Sequence, residues 1–364
     1  MIPKRLLPKT RTLPRKPSSY DIPFYARKDL NAPYFRIPAL NMFNDGSLLC
    51  FANDYPTSIP DDYANKNIVL SFSYNGGEIW RDKKKAFRAS NNLSRMVNPT
   101  IIYDDELDKI IVLVTEILTN QNVVWWKTAD SLWNIYVFTS TDRGKTWTKT
   151  SIKSQLLTKR KPFDTVIMGG LGTGVKMKDG TYVFPIEIGY FDGKTDKIQN
   201  GLLYSNDLTT WNLSESVTPE LGDEANIVLL DDTTILLNAR NFRTQEPKAR
   251  KIFITKDLGA TWQPHRTHQT IPESRATMGH TYKIQIDGED YIIFSHMQST
   301  DGIRKDLGIS VLKKDQSSWV PVEIIEPEEY DGYSCLAWNK NYPDYLFLAY
   351  EKGGNILCKD ISYL

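Results

Sequence analysis

The sequence predicts an all-β fold, a six-bladed β-propeller, from three observations. Aromatic residues make up 12% of the 364 residues, with 9 Trp and 19 Tyr, and such side chains suit pleated, half-buried strands better than helices. A short turn pattern recurs along the chain, and segments rich in β-branched and aromatic residues precede its clear copies. No stretch combines helix caps with a 3.6-residue apolar period.

The recurring pattern is Ser or Thr, then Asp two residues later, then Gly, ending in Trp. Clear copies occupy residues 140–147 (STDRGKTW) and 255–262 (TKDLGATW), while residues 73–80 (SYNGGEIW) have Asn in place of Asp. Weaker copies lie at 205–211 (SNDLTTW) and 314–319 (KDQSSW). The copies start roughly 50 to 70 residues apart, which is the size of one four-stranded blade, and six such blades fill the chain at about 60 residues each.

Each copy predicts a hairpin turn with a structural role. The Ser or Thr and Asp oxygens accept hydrogen bonds from turn amides, Gly takes a positive φ, and Trp packs beneath the turn. Residues 67–72, 135–139 and 251–255 precede three of the copies and are predicted strands.

Charge and cysteine usage exclude several function classes. With 45 basic and 44 acidic residues the formal net charge is +1, so no overall field attracts nucleic acid or an anionic membrane. Three cysteines without a CxxC spacing indicate free thiols in a reducing compartment. Four scattered histidines offer no metal-ligand cluster, and we predict no metal site.

The N-terminal segment, residues 1–20, is basic and interrupted by proline, and it lacks the apolar stretch of a secretory signal. We expect a flexible tail there, followed by a single catalytic domain over residues 21–364. No stretch is apolar enough to span a bilayer. The protein is therefore expected to be cytoplasmic, or secreted if the sequence is already processed. We also expect a monomer.

Several motifs occur in a characteristic order. They are YFRIP at 34–38, GGLGTG at 169–174, Glu224 sixteen residues before the arginine of NARN at 238–241, YSCL at 333–336, and Tyr350-Glu351. Together with the repeated turn, which is similar to the Asp box, they resemble the small bacterial sialidases without an appended lectin domain. The resemblance runs from about residue 34 to residue 357. It implies a sialidase-like propeller that acts as an exo-α-sialidase on sialylated glycans, without a cofactor.

The resemblance also assigns the residues that hold the substrate. Sialic acid carries a carboxylate on its anomeric carbon, and guanidinium groups bind carboxylates through paired hydrogen bonds. By motif position these groups belong to Arg36, Arg240 and Arg304. Arg304 lies in a segment that matches only loosely, so Arg243 or Arg275 could take its place. Glu351 matches the carboxylate that steadies Arg36.

The resemblance implies an unusual nucleophile. Most glycosidases use two carboxylates, whereas sialidases use a tyrosine, and a neutral phenol avoids repulsion by the substrate carboxylate. Tyr333 matches this residue, and Glu224 matches the base that takes its proton, because a free phenol is a weak nucleophile at neutral pH. Asp62 matches the general acid, with Asp61 as the alternative. The expected reaction is retaining hydrolysis of terminal α-linked sialic acid through a covalent tyrosyl intermediate.

Two features leave the specificity open. Residues 53–56 (NDYP) stand where related enzymes often carry an additional arginine, and Trp125, Trp126 and Trp133 could line substrate pockets or pack in the core. On the same fold, an intramolecular trans-sialidase or a transferase is a near alternative. A non-catalytic sialic-acid-binding propeller is an alternative of another class, and a structural or protein-interaction propeller would leave the ordered motifs unexplained.

Overall fold

The computed structural model describes residues 21–57, 64–119, 127–242, 247–273, 276–313 and 316–362. Their strands form six sheets, the blades of a β-propeller, as the sequence predicts. The predicted basic tail, residues 1–20, lies outside the described residues.

The first three blades follow one another along the chain, except that the second blade gains β10 from the segment of the third. In the first blade β1 to β4 span Tyr34–Met42, Leu48–Tyr55, Ile68–Ser73 and Arg81–Phe87. In the second, β5 to β8 span Arg95–Asp104, Lys109–Ile117, Trp133–Ser140 and Thr148–Ser151, and β10 (Gly172–Thr173) adds a parallel partner to β5. The third contains β9, β11, β12, β13 and β14, at Asp164–Gly169, Val175–Lys176, Tyr182–Phe191, Asp196–Ser205 and Asn212–Leu213.

The last three blades repeat the antiparallel order. In the fourth blade β15 to β18 span Gly222–Leu229, Ile235–Asn241, Lys251–Thr255 and Gln263–Pro264. In the fifth, β19 to β22 span His280–Ile286, Glu289–Met297, Leu307–Lys313 and Val320–Glu326. In the sixth, β23 to β25 span Ser334–Trp338, Leu346–Lys352 and Asn355–Asp360.

Apolar clusters lie between neighbouring blades, because both faces of each sheet are covered. The cluster between the first and second blades includes Phe51 and Phe138, and the cluster between the fifth and sixth includes Ile309 and Leu348. Trp133 is fully buried in the cluster between the second and third blades. Trp133 is therefore a core residue, whereas Trp125 and Trp126 lie outside the described residues.

The repeated turn has the predicted hydrogen bonds. In the copy at 140–147, Ser140 Oγ accepts from the Gly144 amide at 2.8 Å, and Asp142 Oδ1 accepts from the Thr146 amide at 2.9 Å. Gly144 has a φ of 77°, and the Trp147 indole donates to the Gly144 carbonyl at 3.2 Å. The turn therefore fixes the tryptophan by a hydrogen bond as well as by packing.

The ring closes between the sixth and first blades. Phe24 and Ile356 exchange two backbone hydrogen bonds, of 3.4 and 3.1 Å, so the chain before β1 occupies the position of a fourth strand beside β25. The Phe24 ring is fully buried and stacks on Phe35 of β1 at 4.9 Å. An early segment thus joins the last blade to the first.

Helices are short in the described part of the chain. They are the α-helix α1 at Lys153–Leu157 and a 3-10 turn at Asp130–Leu132. No helix among these residues is long and apolar enough to cross a membrane.

Candidate active site

The innermost strands of the blades begin around one end of the propeller axis, and backbone irregularities occur there. The pairing of β1 with β2 shifts between Arg36 and Ala39, and the pairing of β15 with β16 shifts between Gly222 and Ala225. Ile37 has a φ of 62°, an unusual value for a β-branched residue. Bulges of this kind redirect side chains at sheet ends, and they place Arg36 and Glu224 at the centre.

A hydrogen-bonded group of three side chains forms this centre. Tyr333, just before β23, donates its hydroxyl hydrogen to Glu224 Oε1 of β15. Arg240 of β16 donates through Nη1 to Glu224 Oε2 at 2.5 Å and to Tyr333 Oη at 3.0 Å. Glu224 therefore accepts from both neighbours, and Arg240 contacts the phenol and the carboxylate together.

Two more guanidinium groups flank the Tyr333 ring. The guanidinium carbon of Arg36 lies 5.0 Å from the ring centroid, and that of Arg304, in the loop before β21, lies 5.9 Å from it. Arg304 also donates to the carbonyls of Asp331 at 2.6 Å and Ala276 at 3.2 Å. Three positive groups thus surround one buried phenol, an arrangement suited to an anionic ligand.

Glu351 of β24 joins the first and sixth blades behind the phenol. Its Oε1 accepts from the Ile37 amide at 2.6 Å, and its Oε2 accepts from the Tyr333 amide at 3.2 Å and from Arg36 Nε at 3.4 Å. Burial raises the pKa of Glu351, and the Arg36 guanidinium and the Ile37 amide oppose that rise. Glu351 fixes both the guanidinium and the backbone that carries Tyr333.

The electrostatics favour a protonated phenol in the resting state. Burial raises the pKa of Tyr333 well above its ordinary value, and the negative charge of Glu224 raises it further. Arg240, Arg36 and Arg304 oppose both effects. The hydroxyl therefore keeps its proton in this arrangement, and its hydrogen bond is directed to Glu224.

Gly332, the residue before Tyr333, permits the packing of Arg304 over the Tyr333 ring. Gly332 has a φ of 117°, and a Cβ atom there would lie 2.8 Å from Arg304 Cδ. Only glycine readily combines that conformation with such a close approach. Gly332 thereby lets Arg304 reach the Tyr333 ring.

A model of a protein family matches residues 37–338, and its description is "BNR repeat-like domain". The chain belongs to this family. The match covers most of the propeller and includes Glu224, Arg240, Arg304 and Tyr333.

Curated relatives of this chain are sialidases. The sialidase of Paraclostridium sordellii is 29% identical over 356 residues, which cover 91% of this chain and 85% of the relative. The sialidase of Clostridium perfringens is 28% identical over 351 residues, which cover 91% and 90%. This chain is a glycoside hydrolase related to sialidases, as its sequence predicts.

A solved structure supports the fold independently. Hadza microbial sialidase Hz136 superposes with a TM-score of 0.79 at 22% identity, over 92% of this chain and 67% of that one. The superposition establishes the shared propeller fold.

The structure brings together six of the side chains that the sequence singles out. They are Arg36, Glu224, Arg240, Arg304, Tyr333 and Glu351. The expected acid Asp62 and its alternative Asp61 lie outside the described residues, as do Arg243 and Arg275.

Sequence reasoning missed two acidic residues beside this group. Asp223 Oδ2 lies 3.7 Å from Arg240 Nε. Glu187 of β12 is buried close enough to Asp223, Glu224 and Arg240 for their charges to affect its pKa. A signal for Glu187 was present, since it is the acidic residue within the otherwise apolar or aromatic strand Tyr182–Phe191.

Residues 53–56 stand where related enzymes often carry an additional arginine, and a different positive charge lies near them. Tyr55 in this segment is buried, and the Lys66 ammonium lies 3.9 Å from its ring centroid. A lysine therefore brings a positive charge to this part of the molecule.

Proposed function

We propose that the protein is an exo-α-sialidase, which hydrolyses terminal α-linked sialic acid from glycoconjugates with retention through a covalent tyrosyl intermediate. The observation that carries this proposal is the contact of Tyr333 Oη with Glu224 and Arg240, inside a set of three guanidinium groups. The names of the curated relatives support the substrate class.

In this mechanism Arg36, Arg240 and Arg304 bind the substrate carboxylate, and Glu351 orients Arg36. Tyr333 Oη attacks the anomeric carbon while its proton passes to Glu224 Oε1. Asp62 donates a proton to the oxygen of the leaving group as the glycosidic bond breaks. Water then attacks that carbon from the face that the aglycone has vacated and gives a proton to the Asp62 carboxylate. The bond to Tyr333 breaks, and Glu224 returns its proton to Tyr333 Oη. Two displacements at one carbon give overall retention.

The positive groups explain why a buried phenol is a competent nucleophile. Bringing an anionic substrate next to an ionised carboxylate nucleophile would be unfavourable, whereas Tyr333 begins neutral. Negative charge that develops on its oxygen lies 3.0 Å from Arg240 Nη1. Such preorganised stabilisation strengthens in the transition state.

The first prediction concerns the nucleophile. Tyr333→Phe removes one oxygen, and we expect kcat for a fluorogenic α-sialoside to fall by about 10³-fold or more, as for other essential catalytic groups. The matched control is Tyr136→Phe, because Tyr136 is also buried and donates to a glutamate, Glu116, at 3.0 Å in the second blade. The control is expected to keep its activity.

Product analysis separates hydrolysis from its alternatives. NMR of the wild-type reaction should show the α-anomer of sialic acid first, whereas an anhydro sugar would indicate the intramolecular reaction. Binding of a sialoside without release would contradict the enzymatic proposal and favour a lectin-like propeller. Equal activity of Tyr333→Phe and wild type would contradict the nucleophile.

Two properties of the whole chain belong to the same proposal. We infer a single catalytic domain over residues 21–364, because apolar clusters join successive blades through to the contact between the sixth and the first. We also propose a monomer, and sedimentation equilibrium tests it directly.

A further inference from the structure

Glu187 is a buried carboxyl group that the proposed mechanism does not use. It is 2% exposed on β12. Its Oε1 atom has no hydrogen-bond partner in the described part of the chain. A buried acceptor that stays unpaired is costly, and an ionised one more so. The buried position of Glu187 is therefore unfavourable unless Oε1 gains a hydrogen-bond partner.

The residue directly opposite shows the same anomaly. Glu187 pairs with Asn200 of β13, so their side chains lie on the same face of the sheet. Asn200 is fully buried, and its Oδ1 also has no partner among the described residues. Two buried acceptor oxygens on paired residues cannot bond to each other unless one of them carries a proton. The carboxyl group is the one that can.

Asn200 connects this pair to the site. Its Nδ2 donates to the Asp223 carbonyl at 2.7 Å, and Asp223 immediately precedes Glu224 at the bulge of β15. A Cβ atom on Gly222 would lie 2.0 Å from Asn200 Oδ1, so the glycine allows the amide to pack against this backbone. The Asn200 side chain therefore holds the strand segment that carries Glu224.

We propose that Glu187 is a protonated positioning residue, which donates its O–H to Asn200 Oδ1 and so fixes the amide that holds the backbone before Glu224. The proton satisfies both orphaned oxygens at once. Its role in holding the base Glu224 rests on the proposed function, whereas the protonation and the hydrogen bond do not.

The surrounding charges favour the protonated form. Asp223 and Glu224 approach from β15, and Arg240 from β16. Arg240 already bonds to Glu224 and lies near Asp223, so a third carboxylate would leave excess negative charge around one guanidinium. Burial raises the pKa of Glu187 well above its ordinary value, and Asp223 and Glu224 raise it further against the opposing effect of Arg240.

The test of protonation uses stability as a function of pH. Glu187 binds its proton more tightly in the folded protein than in the unfolded chain, where the pKa is about 4.3. Wild type must therefore lose stability relative to Glu187→Gln as pH rises above that value, until the pH passes the raised pKa. The difference in Tm, variant minus wild type, should increase by about 2 °C or more between pH 4.5 and neutrality.

A matched control has a buried glutamate with both oxygens bonded. Glu116 is fully buried and accepts from the Ser90 amide at 2.5 Å and from the Tyr136 hydroxyl at 3.0 Å. Glu116→Gln places an amide hydrogen against a donor, so its Tm should lie below that of wild type at neutral pH. Infrared spectra should show the carbonyl stretch of a protonated carboxyl group in wild type that is absent from Glu187→Gln.

The test of positioning compares a conservative and a disruptive replacement. Gln at 187 keeps a donor for Asn200 Oδ1, whereas Leu removes it. We expect kcat of Glu187→Leu to be at least about 10-fold below that of Glu187→Gln, the effect of losing one well-placed hydrogen bond. The NMR signal of the Tyr333 ring carbon that bears the hydroxyl, assigned with Tyr333→Phe, should shift in the Leu variant and keep its position in the Gln variant.

The outcomes separate this proposal from the proposed function. Absence of the infrared band, or a Tm difference that does not rise with pH, overturns the protonated Glu187. Equal kcat and equal Tyr333 signals in the Gln and Leu variants overturn its positioning role. If no sialoside is cleaved, the proposed function fails, while the infrared, Tm and NMR results still decide the role of Glu187.

Discussion

At the scale of single residues, the site depends on carboxylates with different duties. Glu224 accepts from the Tyr333 hydroxyl, and Glu351 accepts from the Ile37 amide and from Arg36. Glu187 of β12 pairs with Asn200 of β13. Glu224 and Glu351 accept from different donors, whereas Oε1 of Glu187 has no donor among the described residues. Their environments, more than their chemical type, determine what each one does.

A prediction at this scale concerns Glu351. Glu351→Gln removes a negative charge from Arg36 and turns one acceptor of a backbone amide into a donor. We expect kcat/KM to fall by about 10-fold or more, since a hydrogen bond to a charged group contributes about 1.5–3 kcal/mol. Substrate titration should show a raised KM, because Arg36 is the proposed carboxylate ligand.

Glu326→Gln is the matched control for Glu351→Gln. Glu326 is also largely buried and accepts from the Tyr350 hydroxyl at 3.3 Å and from Lys352 at 3.0 Å. It lies on β22, the edge strand of the fifth blade. A similar loss of kcat/KM in both variants would refute the specific role of Glu351.

At the scale of elements, the turn pattern predicts a stability effect. Gly144 has a φ of 77°, and a Cβ atom there would lie 3.1 Å from the Trp147 ring and 3.3 Å from Phe72. Gly144→Ala should lower the free energy of unfolding by about 1–3 kcal/mol, from backbone strain together with crowding. Denaturant titration measures this loss.

Gly180→Ala separates strain from crowding. Gly180 has a φ of 90°, and a Cβ atom there would have none of the described atoms within 4 Å. Its replacement should cost only the strain, so Gly144→Ala should be the more destabilising of the two. Equal losses would mean that the tryptophan beneath the turn adjusts without penalty.

Local elements were predictable because local chemistry specifies them. The strands at 135–139 and 251–255 lie within β7 and β17, and the turn copies carry their hydrogen-bonding residues in sequence. The pairing of Glu187 with Asn200, and the approach of Asp223 to Arg240, depend on the register between strands that are separate in the sequence. A sequence pattern does not encode that register, so motif matching found Glu224, Arg240 and Tyr333 but missed Glu187 and Asp223.

At the scale of the whole molecule, ring closure predicts the sensitivity of the fold. Phe24→Ala removes a fully buried ring between the first and sixth blades. We expect the free energy of unfolding to fall by about 3–5 kcal/mol, the usual loss for a buried phenylalanine. Thermal unfolding followed by circular dichroism measures it, with Phe163→Ala as the control because Phe163 is 58% exposed.

The site combines residues from opposite ends of the sequence, and this determines when it can form during synthesis. Arg36 leaves the ribosome early, whereas its partner Glu351 and the phenol of Tyr333 emerge about 300 residues later. Under the proposed mechanism a chain that still lacks Tyr333 and Glu351 has neither the nucleophile nor the carboxylate that orients Arg36. Activity should therefore appear only when the last sheet meets the first.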